Sequence, residues 1–131
     1  MKKILLMLTF ILTVAIIASS CKKEVGEGGT ATITGKVFGY DINADEIITD
    51  SSYVGGTRVY ISYGDNPWPD NDVRTSYSGD YAFQGLQKGK YRVFVYSQCN
   101  SCPFNQEVKV QYVEITSNGQ TVVLPDFKIL D

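Results

Sequence analysis

The chain has 131 residues, a formal net charge of −2, 44% hydrophobic residues and no histidine. That length holds one domain with a real core once a leader is set aside, and the slight acidity offers nucleic acid nothing to bind. The missing histidine removes the commonest general base, the commonest metal ligand and the triads built on either.

Lys2 and Lys3 open the chain, and an apolar run from Ile4 to Ala18 follows, interrupted only by Thr9 and Thr13. The run is shorter than the roughly 20 apolar residues a spanning helix needs. With the small residues Ala18-Ser19-Ser20 behind it, it has the layout of a cleaved secretory signal over residues 1–20. Small residues directly before Cys21 resemble the lipobox of bacterial lipoproteins, with Ala18 where that motif usually has leucine. The resemblance implies that the Cys21 thiol takes diacylglycerol and becomes the new N-terminus, which makes membrane lipid a partner. Ordinary secretory cleavage near Ser20 is the alternative. Each buried methylene of such an anchor contributes about 0.8 kcal/mol, and stable attachment takes more than one chain. Lysine rather than aspartate at position 22 resembles the sorting pattern of lipoproteins sent to the outer membrane, on its periplasmic or surface face. Residues 21–29, with Gly26, Gly28 and Gly29, are expected to form a flexible tether.

From Thr30 onward short β-branched and aromatic runs alternate with glycine, asparagine, aspartate and proline, which predicts an all-β sandwich over residues 30–131. The first strand spans about residues 30–40, with Ile33, Gly35 and Val37 on one face, and a polar loop covers 41–56. In residues 57–63, Val59, Ile61 and Tyr63 alternate against Arg58, Tyr60 and Ser62, so one face is buried and the other wet. A second polar loop, residues 64–72, carries Pro67-Trp68-Pro69 among Asp65, Asn66, Asp70, Asn71 and Asp72. Its oxygens are those a calcium ion takes, but the EF-hand spacing is absent and a solvated turn accounts for it.

After a tight turn at Ser78-Gly79, Tyr81 and Phe83 share a face; Gly89 then opens the strand 90–97, apolar on both faces and therefore central. Val108, Val110 and Tyr112 alternate, but Val113 and Ile115 are one position out of phase, which predicts a β-bulge at Tyr112 and Val113. Asn118-Gly119 signals a turn, and Pro125 inside the last apolar run puts that strand at an edge.

Cys99 and Cys102 are the two cysteines left once Cys21 is assigned to lipid, an even pair suited to an oxidising compartment and expected to bond to each other. A redox Cys-x-x-Cys is the alternative, but that motif works at a helix N-terminus, whereas these residues lie between strands.

The stretch from Thr75 through Gly79, Tyr81, Phe83, Leu86, Gly89 and Tyr91 to Val93 resembles the signature of the carboxypeptidase-regulatory-like and collagen-adhesin B-type families. Those are prealbumin-like, Ig-like β-sandwiches of about seven strands. The resemblance implies that fold and no particular activity, since such modules serve as stalks, adhesion parts and accessory domains. The zinc peptidases they attach to need histidine ligands that this chain lacks, and the Lys-Asn cross-link of some adhesins would have Lys36 but no asparagine in the last strand, 120–130. No catalytic residue, cofactor or metal site is therefore expected. The chain is expected to be a lipid-anchored, non-enzymatic envelope module with a structural or interaction role and an envelope protein or glycan as partner. For Trp68 two roles stand open. It packs over the core edge, or, held rigid by its prolines, it joins Tyr63 as a stacking platform for a sugar.

Overall fold

A computed structural model describes residues 24–131 together with Lys3. Cys21 and the signal region 1–20 therefore lie outside the described chain, apart from Lys3. Nine strands follow in order: β1 (Glu27–Ile42), β2 (Ile48–Tyr53), β3 (Arg58–Tyr63), β4 (Asn71–Arg74), β5 (Asp80–Leu86), β6 (Gly89–Gln98), β7 (Gln106–Ile115), β8 (Thr121–Val123) and β9 (Phe127–Leu130). They form two sheets facing each other, the all-β sandwich the alternation called for. The strands beyond the expected count come from β2, inside the loop 41–56, and from the split of the last strand at Pro125. Every side chain of β2 is exposed, so its sequence has no buried face to write a period of two.

β1 organises the first sheet. Along one side it pairs antiparallel with β5 and then β2, and along the other it pairs parallel with β8 and then β9. β8 and β9 pair with β1 alone, which is the edge position that Pro125 requires, because proline cannot donate to a ladder. The second sheet runs β4-β3-β6-β7, antiparallel throughout, with β6 inside it.

The core fills the space between the sheets. β1 supplies Ala31, Ile33 and Val37, β3 supplies Val59 and Ile61, β5 supplies Tyr81, Phe83 and Leu86, and β6 supplies Tyr91, Val93 and Val95. Fully burying one such side chain contributes about 1.5–3 kcal/mol. The turn before β5 depends on Gly79, whose φ is +81° and where a Cβ would stand 2.8 Å from the Val37 carbonyl oxygen. Both facts exclude a larger residue.

Two expectations are corrected here. The tether ends before Gly29, since β1 begins at Glu27 and Val25 already packs against the core. The Gly26 N–H donates to the Tyr91 hydroxyl at 2.9 Å, and that hydroxyl donates to the Gln87 carbonyl at 2.6 Å, so the entry segment is tied to β6. There is also no bulge at Tyr112 and Val113. β7 stays in one register with β6 from Gly89 opposite Ile115 to Gln98 opposite Gln106. The phase of its apolar residues changes because both faces carry them: Val113 and Ile115 turn inward, while Val108, Val110 and Tyr112 turn out to solvent.

Candidate functional site

The same alternation that fills the core from Val59, Ile61, Tyr91, Val93 and Val95 sends Tyr60, Ser62, Arg92, Phe94 and Tyr96 to the opposite face of the second sheet. The ladder sets them in rows, with Tyr60 opposite Phe94 and Phe94 opposite Val110, Tyr96 opposite Val108, and Ser62 opposite Arg92 and Arg92 opposite Tyr112. Tyr60 and Phe94 stack at 5.2 Å with 12° between their planes. Tyr96 meets both rings edge-on, at 5.6 and 6.0 Å. Such pairs contribute about 0.5–1.5 kcal/mol beyond their buried area. Ser62 and Phe94 are buried on this face, but much of the rest is open: Tyr112 is 79% exposed, Val108 48% and Tyr96 44%.

The β3–β4 loop bends back against one end of the face. Ser62 Oγ donates to the Trp68 carbonyl at 2.9 Å. Arg92 Nη2 donates to the Pro67 and Asn66 carbonyls at 3.1 and 3.2 Å and to Ser62 Oγ at 3.3 Å. Asp70 accepts from the Tyr63 N–H and from Asn66 Nδ2, both at 2.7 Å, in keeping with a turn, and Asp72 on β4 pairs with Arg58 on β3 at 3.2 Å. The loop is pinned at both ends, yet Trp68 itself is 74% exposed. It is therefore a presented side chain rather than a cover for the core.

Tyr63 does not join it. As the inward member of its alternation, its ring meets Tyr91 edge-on at 5.8 Å and packs against the core, and its hydroxyl reaches Glu27 Oε1 at 3.4 Å. Burial, and then the Glu27 carboxylate, raise its phenol above the ordinary range. The residues that share an exposed face with the Trp68 loop are instead Arg92 and Tyr112. Their signal was the outward phase of β6 and β7, visible as Arg92, Phe94 and Tyr96 between the core positions.

Cys99 and Cys102 form a disulfide in the β6–β7 connection. Cys99 N–H donates to the Asn105 carbonyl and Cys102 N–H to the Cys99 carbonyl, so the bridge staples a closed turn. Glu107 lies beside the two sulfurs, but both are bonded to each other and offer no thiolate to a metal. The ladder sets Asp41 of β1 opposite Asp50 of β2, a pairing that the polar loop assignment gave no reason to expect. Both carboxylates are exposed.

No protein-family model matches the sequence, and no curated protein matches it significantly. Among solved structures the fold is similar to that of a "putative carbohydrate binding protein" from Pseudomonas aeruginosa, with 14% identity, a TM-score of 0.43, and coverage of 77% of this chain and 91% of that one. A likeness of that degree carries no inference about ligand or partner.

Proposed function

We propose that this protein is a lipid-anchored module of the cell envelope, held to the outer membrane through Cys21, and that it acts by binding rather than by catalysis. The outer face of the β4-β3-β6-β7 sheet, with the Trp68 loop at its end, is the binding surface. The observation that carries this is the exposed apolar surface of Tyr96, Val108, Val110 and Tyr112 around the ring stack of Tyr60 and the buried Phe94. Exposed apolar surface of this kind, rimmed by polar groups, marks interaction sites in soluble domains. The anchor rests on the signal layout and on the resemblance of Ala18-Ser19-Ser20-Cys21 to a lipobox.

A glycan is the ligand class favoured by the exposure of Trp68 on a loop that Arg92, Ser62 and Asp70 hold in place. A preformed aromatic surface loses little conformational entropy on binding a flat apolar ring face. Two experiments test the proposal. Cells fed an alkyne fatty acid should label the wild type and not Cys21→Ala; label that survives the substitution, or none on the wild type, ends the anchor. On an oligosaccharide array the protein should bind, and Trp68→Ala or Tyr96→Ala should weaken binding; binding indifferent to both ends the assignment of this face.

A further inference from the structure

At the Arg92 end of this face there is an open cleft of about 440 Å³, lined by Gly64, Asp65, Lys90, Arg92, Tyr112 and Glu114 among others. Its size falls within the range of small-molecule sites, about 300–1,000 Å³. The ladder explains the lining: Lys90 stands opposite Glu114 and Arg92 opposite Tyr112 across β6 and β7, while the chain leaving β3 at Tyr63 raises Gly64 and Asp65 on the other side. We infer that this cleft is a subsite for a neutral saccharide. The inference rests on the proposal that the outer face of this sheet is the binding surface, and it names the ligand and the residues.

The charge pattern selects the ligand. Two cations, Lys90 and Arg92, and two carboxylates, Asp65 and Glu114, line one cleft, and among the described residues none of the four takes part in an ion pair. An anion would meet Asp65 and Glu114, and a cation would meet Lys90 and Arg92. A wholly apolar ligand would desolvate charged groups with nothing in return. A polyhydroxyl ring satisfies all of them, because each hydroxyl both donates and accepts. It donates to the carboxylates and accepts from the ammonium and guanidinium, while its C–H face lies on the ring of Tyr112, which is 79% exposed.

Arg92 is built for this. Its Nη2 is held by the Ser62 hydroxyl and by the Asn66 and Pro67 carbonyls, and its Cζ stands 5.7 Å from the Phe94 ring centre. The fork is thus fixed without a carboxylate counter-ion, and among the described residues its Nε and Nη1 have no partner. Those N–H groups remain free to donate to a ligand. A donor on a guanidinium already held in place bonds an oxygen with little loss of side-chain entropy.

The test uses the whole protein purified in detergent, on an array of neutral gluco-, manno-, galacto- and xylo-oligosaccharides with oligogalacturonate and chitosan oligomers as anionic and cationic controls. At least one neutral series should bind in preference to both charged controls. Tyr112→Ala should weaken that binding at least tenfold and Glu114→Gln severalfold, with thermal melting unchanged because both side chains are exposed. No binding to any neutral series, or stronger binding to a charged control, overturns the ligand class. Neutral binding lost in Trp68→Ala but intact in Tyr112→Ala overturns the cleft and leaves the face standing. Binding indifferent to Trp68, Tyr96 and Tyr112 removes both.

Discussion

Along β6 the residues Tyr91, Val93 and Val95 alternate with Arg92, Phe94 and Tyr96 on one backbone, and each set is mostly apolar. The inward set is 2% exposed or less, whereas the outward set reaches 44% at Tyr96. Both sets are therefore equal in sequence character and unequal in what covers them. The inward set shares one core cluster with residues of β1, β5 and β9 of the other sheet; the outward set meets its own neighbours and the Trp68 loop. Apolar content at period two thus measures the capacity of a face to be buried, and the structure decides which capacity folding uses and which is left in part exposed.

Substitutions on the two faces should break this comparison unequally. On the inner face, Ile61→Ala removes a fully buried side chain and should cost about 2–5 kcal/mol, read as a lower urea midpoint with unchanged slope. A loss below about 1 kcal/mol would mean that the two sheets do not pack as described. Tyr91→Phe keeps the buried ring but removes the hydroxyl that ties Gly26 and Gln87 to β6. It should cost about 1–3 kcal/mol, the penalty of a buried donor left without a partner, and it should speed hydrogen exchange at the Gly26 amide before any global unfolding. On the outer face, Tyr96→Ala loses two edge-on ring contacts and should cost about 1 kcal/mol.

The inward half of this architecture was legible because burial writes a clean code. Val59, Ile61, Tyr81, Phe83, Tyr91, Val93 and Val95 all stand where their alternation puts them. What stayed hidden has one physical cause, the absence of an inner neighbour to impose a pattern. β2 is polar and wholly exposed, so it resembles a loop. β7 lies at the sheet edge and carries Glu107, Lys109 and Gln111 inward at one end; alternation from Val108 to Tyr112 therefore follows its outer face, and only a bulge reconciles that phase with Val113 and Ile115 in the sequence. The sequence puts Trp68 in a loop, but its exposure follows from Ser62 and Arg92, residues that join the loop only through the fold. Tyr63 neighbours that loop in sequence and turns away from it, because one step along a strand reverses the face.

The sharpest form of the comparison removes outer apolar surface and asks whether folding notices. Val108 and Val110 are 48% and 38% exposed, flank the aromatic row and touch no second sheet. Threonine keeps their β-branching and so their fit to an extended backbone, while its hydroxyl stays in water where it needs no protein partner. Val108→Thr combined with Val110→Thr should therefore leave the unfolding free energy within about 0.5 kcal/mol of the wild type, as expected for surface positions, and should weaken whatever binding the face supports. A loss of several kcal/mol, comparable with Ile61→Ala, would show that these valines are covered in the folded protein. The outer face would then be a second core surface rather than a site waiting for a ligand.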